Sequence, residues 1–128
     1  MRFVSHQFVA AALGLSLVAA SVPVAVNAAP EPILVGAILS ITGLYAPLGE
    51  PQRNGLMLAE RDINAHGGIG GRPVHFIIQD DEGKADTASQ LATSLIGQNV
   101  AALIGGSLTP TSIAISRVAS AAKVVQIY

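Results

Sequence analysis

The 128-residue sequence has no cysteine and no tryptophan, few aromatic residues (4%) and few charged residues (12%). The absence of cysteine excludes a disulfide framework and a lipid anchor on an N-terminal cysteine. A formal net charge of -1 leaves no basic excess for nucleic acid, so nucleic acid is not an expected partner. The length suits at most one compact domain.

The first 28 residues have the features of a secretory signal peptide. A positive start at Arg2 precedes an apolar run over residues 8–22, and Val26-Asn27-Ala28 offers small residues for cleavage. The run breaks at Pro23, short of the ~20 residues that a membrane-spanning helix needs. We therefore expect residues 1–28 to be removed. The mature protein, with six basic against eight acidic groups, is then expected in the periplasm.

Four short apolar runs alternate with three helical patterns in the rest of the chain. The runs are nearly continuous, as in strands that are buried on both faces. Apolar residues at helical spacing lie between them, most clearly from Ala88 to Ile96. This alternation predicts an α/β fold with a doubly wound parallel sheet and helices on both faces. The predicted strands are Ile33–Ser40, Pro73–Asp80, Val100–Gly105 and Val124–Tyr128.

A strand order of 2-1-3-4 would place a topological switch point between the first and third strands. Ligands of open α/β sheets bind at such a point, outside the carboxyl ends of the strands. Two loops meet there, Ser40 to Gly49 after the first strand and Gly105 to Thr111 after the third. We therefore expect a binding site between these two loops.

The second loop does not fit the familiar nucleophile or phosphate motifs. It lacks the final glycine of a nucleophile elbow, since Thr109 stands where that glycine would be. No lysine occurs between Lys84 and Lys123, which excludes a P-loop. The glycines of residues 66–73 follow a helix and open a strand, the reverse of a dinucleotide-binding loop, and predict a turn.

A metal site is not expected either. The only acidic cluster is Asp80-Asp81-Glu82. We expect these carboxylates to interact with the positive N-terminus of the helix that follows, in preference to a metal ion.

The hydroxyl-rich loop suits a small carboxylate. Thr109 followed by Pro110 is typical of an N-cap with proline at the first helical position. The N–H groups of Thr111 and Ser112 then point outward at the positive end of the helix dipole, where an anion binds. The alternative is that Thr109 only caps its own helix, and the pattern alone does not choose between the two.

Several segments together resemble a known family. They are GLYAPLG (Gly43 to Gly49), DINAHGGI (Asp62 to Ile69), Asp80-Asp81 and VAALIGGSLTPTSIAIS (100–116). They closely resemble the start of the periplasmic branched-chain amino acid binding proteins, the leucine/isoleucine/valine receptors of ABC importers. The resemblance covers essentially the whole mature chain and implies a type I fold of two α/β lobes that close on the ligand.

The resemblance also implies which residues bind the ligand. The loop after the third strand binds the α-carboxylate in this family, which corresponds here to Ser107, Leu108, Thr109 and Thr111. Thr109 stands where the family commonly has serine and can donate the same hydrogen bond. The first loop lines the family's cleft, which would place Tyr45 and Leu48 beside the ligand; a packed loop aromatic is the alternative for Tyr45.

The implied function is that of a solute-binding component of an ABC importer, not an enzyme, which binds a branched-chain amino acid or a related small carboxylate or amide, with no cofactor and with membrane permease subunits as partners. Family members continue beyond the fourth strand, so residues 29–128 are expected to be the N-terminal part of the first lobe of a longer receptor. Such a piece alone would be marginally stable, with exposed sheet edges.

Two other functions stay open at this point. One is a sensory or regulatory ligand-binding domain of the same fold, which the export signal argues against. The other is a flavodoxin-like enzyme or phospho-acceptor domain that uses Asp80 and Asp81. That reading needs acidic groups at the end of the first strand, where Ser40-Ile41-Thr42-Gly43 stands instead.

Overall fold

The computed structural model describes residues 30–128, and the predicted signal peptide, residues 1–28, lies outside them. Strands and helices alternate along the described chain as the sequence predicts. Within residues 30–128, no helix is long and apolar enough to cross a membrane. The elements are β1 (Ile33–Leu39), a 3-10 turn (Gly43–Tyr45), α1 (Ala46–Ala65), β2 (Val74–Asp80), α2 (Ala85–Gly97), β3 (Ala102–Gly105), α3 (Thr109–Ala122) and β4 (Val125–Ile127).

The four strands form one parallel sheet in the order β2-β1-β3-β4. Val35 of β1 lies opposite Phe76 of β2 on one side and Ala102 of β3 on the other. The chain therefore changes direction between β1 and β3. The predicted α/β fold, its parallel sheet and the position of its switch point are confirmed.

The main core lies between the sheet and the helices α2 and α3. Ile38 and Leu103 of the sheet are fully buried there, together with Leu95 and Ile115 of the helices. A Cβ atom at Gly36 would lie 2.8 Å from both Leu95 and Leu103, so only glycine leaves α2 room to pack this close to β1. Because side chains alternate along a strand, the neighbours of Ile38 and Leu103 point to the opposite face, where α1 packs.

Helix α1 also covers the free edge of β2. The Asn64 amide accepts a hydrogen bond from the N–H of Val74 and donates one to its carbonyl, both at 2.8 Å. Glu60, one helical turn earlier, accepts a hydrogen bond from the N–H of Phe76 at 2.7 Å. Four residues of helix rise about 6 Å, close to the rise of two strand residues, so the two spacings match. These side chains prevent pairing of the edge with another strand.

Glu60 is held as an anion by this arrangement. Burial raises the pKa of Glu60, but hydrogen bonds from Phe76 N–H and from His75 outweigh it and hold the pKa below its ordinary value.

The opposite edge of the sheet has no such cover among the described residues. Val125 and Ile127 of β4 are 63% and 58% exposed. The expected exposure of sheet edges therefore holds at β4 but not at β2.

Candidate functional site

The loops after β1 and β3 meet at the carboxyl end of the sheet, as predicted. The N–H of Ser40, immediately after β1, donates a hydrogen bond to the Ser107 hydroxyl at 3.0 Å. That hydroxyl donates in turn to Oε1 of Gln52 on α1 at 2.6 Å. Ser107 therefore joins the loop after β3 to both β1 and α1.

Two glycines bring the loop after β3 close to its neighbours. Gly105 and Gly106 have φ values of 126° and 77°, which side-chain-bearing residues rarely adopt. A Cβ atom at Gly105 would lie 2.0 Å from the carbonyl oxygen of Ile38, and one at Gly106 would lie 2.3 Å from the backbone nitrogen of Ser112. The loop can therefore turn this tightly against β1 and α3 only with glycine at both positions.

Helix α3 begins one residue earlier than predicted. Leu108 is the N-cap and Thr109 is the first helical residue, so the assignment of Thr109 as N-cap is wrong. The Thr111 hydroxyl bonds to the backbone of Leu108 instead, donating to its carbonyl at 2.9 Å and accepting from its N–H at 3.4 Å. Thr111 is fully buried, and its hydroxyl takes over the local role that the sequence pattern assigned to Thr109.

The start of α3 leaves a small set of hydrogen-bond donors open. Among the described residues, neither the N–H group nor the exposed hydroxyl of Thr109 has a hydrogen-bond partner. The N–H of Thr111 also lacks a partner, but Thr111 is fully buried, so this N–H is closed to a ligand. The N–H of Ser112 is not open, contrary to the expectation, because it donates to the Leu108 carbonyl at 2.9 Å. The open donors lie at the positive end of the helix dipole and suit an anion.

Asp80 and Asp81 bind the neighbouring loops, not the N-terminus of α2. Asp80 accepts hydrogen bonds from the N–H groups of Ile41 (2.8 Å), Thr42 (3.4 Å) and Glu82 (2.9 Å) and from the Thr42 hydroxyl (2.5 Å). Burial raises its pKa, but the Thr42 hydroxyl and these backbone donors outweigh burial and hold the pKa below its ordinary value. These carboxylates therefore interact mainly with the loops and not, as expected, with the positive N-terminus of α2.

Asp81 is fully buried under the same loops. Its Oδ1 accepts hydrogen bonds from the Ser40 hydroxyl at 2.6 Å and from the N–H of Gly83 at 2.8 Å. Its Oδ2 is buried without a partner among the described residues. No cluster of His and carboxylate side chains able to hold a metal ion occurs in residues 30–128.

Tyr45 and Leu48 occupy two different environments. A Cβ atom at Gly83 would lie 2.5 Å from the Tyr45 ring and 3.4 Å from the Leu108 side chain, so all three residues pack together where three loops meet. Leu48, on the first turn of α1, is 51% exposed. The structure therefore brings Tyr45 next to Leu108 of the candidate site, while Leu48 remains a surface residue.

A cleft of about 570 Å³ opens beside the start of α3. Three of the predicted binding residues, Ser107, Leu108 and Thr109, line it, whereas Thr111, Tyr45 and Leu48 do not. The remainder of the lining follows one side of α3 and reaches the end of the described chain. These further lining residues are Gly106, Ser112, Ile113, Ser116, Arg117, Ser120 and Tyr128.

Three residues of this region were not predicted to belong to the binding site. Ser40, Gln52 and Asp81 form the contacts that hold Ser107 and the surrounding loops. The position of Ser40 could have indicated its role, since it directly follows a predicted strand at the switch point. No sequence feature indicates the role of Gln52, because it lies on an exposed helix surface 55 residues before its partner.

The family model of the periplasmic binding proteins matches residues 32–128. A Leu/Ile/Val-binding protein of Rhizobium johnstonii is 30% identical over 86 residues, which are 67% of this chain and 23% of that protein. A branched-chain amino acid transporter substrate-binding protein from Streptococcus pneumoniae, solved in complex with isoleucine, has a TM-score of 0.72 and 28% identity. That match covers 74% of this chain and 28% of the solved chain.

A fatty acid ABC transporter substrate-binding protein from Thermomonospora curvata has a TM-score of 0.64 at 26% identity, covering 73% of this chain and 24% of that chain. The chain therefore spans about a quarter of the length of these relatives. Since the family model matches nearly all of the described residues, this chain belongs to the family of periplasmic binding proteins.

Proposed function

We propose that this chain is part of a periplasmic solute receptor that binds a branched-chain amino acid, or a related small carboxylate, for an ABC importer. One observation carries the proposal: open hydrogen-bond donors, the N–H group and the hydroxyl of Thr109, lie at the N-terminus of α3 beside a cleft. Such donors bind a carboxylate through charge-assisted hydrogen bonds and the helix dipole.

In this proposal Ser107, Leu108, Thr109 and Thr111 form the carboxylate-binding loop, with Tyr45 and Leu48 at its border. Residues 29–128 form the first part of lobe I and residues 1–28 the signal peptide. The relatives named above are substrate-binding proteins, which supports binding without catalysis and without a cofactor. Their association with ABC transporters supports membrane permease subunits as partners.

The ligand class is tested by isothermal titration calorimetry on the protein expressed from its complete reading frame. The panel holds L-leucine, L-isoleucine, L-valine, L-leucinamide and octanoate, since one relative is a fatty acid binder. We expect binding of at least one carboxylate and no measurable binding of L-leucinamide, because the amide lacks the anion that the helix N-terminus favours. Equal binding of leucine and leucinamide would contradict the proposed carboxylate site.

Thr109 is tested by Thr109→Val, which keeps the shape of the side chain and removes its hydroxyl. We expect the Kd for the best carboxylate to rise by about 10- to 100-fold, the loss expected for a hydrogen bond to a charged group. Thr93→Val is the matched control, since Thr93 is an exposed threonine on α2 whose hydroxyl bonds only to the Ser89 carbonyl. An unchanged Kd in Thr109→Val would exclude the Thr109 hydroxyl from the site.

A further inference from the structure

The Ser107 hydroxyl donates its proton to a side chain of another element, unlike the hydroxyls of the other residues of the candidate loop. A serine hydroxyl has one proton to donate and two lone pairs to accept. Here the proton is directed to Oε1 of Gln52 at 2.6 Å, and one lone pair accepts the N–H of Ser40 at 3.0 Å. A ligand carboxylate, which only accepts hydrogen bonds, finds no donor left on this side chain.

The partners of Ser107 are themselves held in place. Ser40 is fully buried, and its hydroxyl donates to Oδ1 of the fully buried Asp81 at 2.6 Å. The same Oδ1 accepts the N–H of Gly83 at 2.8 Å. A continuous series of hydrogen bonds therefore runs from the loop after β2, through the end of β1 and Ser107, to Gln52 on α1.

This series ends directly before the open donors of α3. Ser107 is separated from Thr109 by one residue, and the two glycines before it pack against the backbone of Ile38 and Ser112. The backbone position of Ser107 therefore governs the direction in which the N–H group and the hydroxyl of Thr109 point. Fixing such donors before the ligand arrives reduces the entropy that binding must otherwise lose.

We propose that Ser107 is a positioning residue whose hydroxyl, bonded to Gln52 and to Ser40, orients the N–H and hydroxyl donors of Thr109 without donating to the ligand itself. Gln52 and the Asp81–Ser40 pair are positioning residues of the same site. The proposal rests on the proposed function for its ligand, but the Ser107–Gln52 hydrogen bond can be tested without any ligand.

The ligand-free test is a double-mutant cycle on thermal stability, using the protein expressed from its complete reading frame. Gln52→Met is expected to lower Tm by about 1 to 3 °C, as the loss of one hydrogen bond would, and Ser107→Ala by more, because it also removes the acceptor of the Ser40 N–H. The double variant is expected to lose no more than Ser107→Ala alone, because the Ser107–Gln52 bond is already absent there. Additive losses would overturn the proposal whether or not an amino acid binds.

The ligand test uses the carboxylate that the unaltered protein binds best. Positioning predicts that Gln52→Met raises Kd by about 3- to 10-fold, that Ser107→Ala raises it by at least as much, and that the double variant is no worse than Ser107→Ala. Direct donation by Ser107 predicts the opposite for Gln52→Met, since that substitution frees the Ser107 proton and leaves Kd unchanged or lower. That opposite outcome would overturn the proposal.

Ser107→Thr provides the rescue control, because threonine keeps a hydroxyl that can bridge Ser40 and Gln52. We expect its Kd to lie within about twofold of the unaltered protein, a change well below that of one lost hydrogen bond. A Kd as high as that of Ser107→Ala would overturn the role of the hydroxyl. Absence of binding by every member of the ligand panel would count against the proposed function alone, since the stability cycle still decides the Ser107–Gln52 bond.

Discussion

The loops after β2 and β3 lie side by side at the carboxyl end of the sheet and use their polar groups in opposite ways. At the end of β2, Asp80 accepts four hydrogen bonds, three from the loop after β1 and one from Glu82. In the loop after β3, the side chains are neutral, and the N–H group and hydroxyl of Thr109, at the start of α3, stay open. The acidic loop is therefore structural, and the neutral loop is the candidate site.

The largest expected effect concerns the turn that carries the open donors. Gly105→Ala places a Cβ atom 2.0 Å from the Ile38 carbonyl oxygen at a φ of 126°, so the end of β3 must move away from β1. We expect the free energy of unfolding to fall by about 3 kcal/mol or more, measured by urea denaturation.

Gly55→Ala is the matched control for this prediction. Gly55 lies inside α1, and a Cβ atom there meets nothing within 4 Å. We expect this substitution to stabilise the protein by about 0.5 to 1 kcal/mol, because alanine favours the helix. Similar losses in the two variants would show that the close approach of Gly105 to β1 does not determine the loop.

A smaller effect is expected from the acidic loop. Asp80→Asn removes the charge that four donors stabilise, and we expect a loss of about 1 to 2 kcal/mol in unfolding free energy at pH 7. Because the pKa of Asp80 is lowered in the folded state, the unfolded state binds more protons and stability rises with pH. The contribution is complete above about pH 5 and is lost as the pH falls below about 4.

The difference between the unaltered protein and Asp80→Asn should therefore shrink between pH 5 and pH 3, which a pH series of urea denaturations measures. Glu50→Gln is the control, since Glu50 is exposed and has no hydrogen-bond partner among the described residues. A loss in Asp80→Asn that stays constant with pH would exclude the ionised carboxylate as its cause.

The smallest effect separates the two threonines at the start of α3. Thr111→Val removes the buried hydroxyl that bonds to the Leu108 backbone, and we expect a loss of about 1 kcal/mol in stability. Its effect on Kd should be small, since Thr111 is fully buried and does not line the cleft. Thr109→Val should change Kd and leave stability within about 0.5 kcal/mol. Thermal unfolding and calorimetry of both variants measure this difference, and a reversed pattern would exchange the roles of the two residues.

Much of the fold was predictable because local patterns and chain connectivity determine it. The apolar runs and helical stripes predicted the alternating elements, and the glycine-rich segment at residues 66–73 proved to be the turn between α1 and β2. The N-cap of α3 was misplaced by one residue because Thr109 and Thr111 both suit the start of a helix. Only the observed bond from the Thr111 hydroxyl to Leu108 distinguishes them.

The sequence by itself determined the parallel α/β sheet, its switch point and the two loops that meet there, since period, turn residues and crossover handedness act along the chain. The tertiary structure decided which polar groups of those loops remain available to a ligand. The Ser107 hydroxyl donates a hydrogen bond to Gln52, 55 residues away, and the Asp81 carboxylate accepts one from Ser40, 41 residues away. Such partners meet only when the sheet assembles, because no local pattern encodes which distant donor and acceptor will face each other.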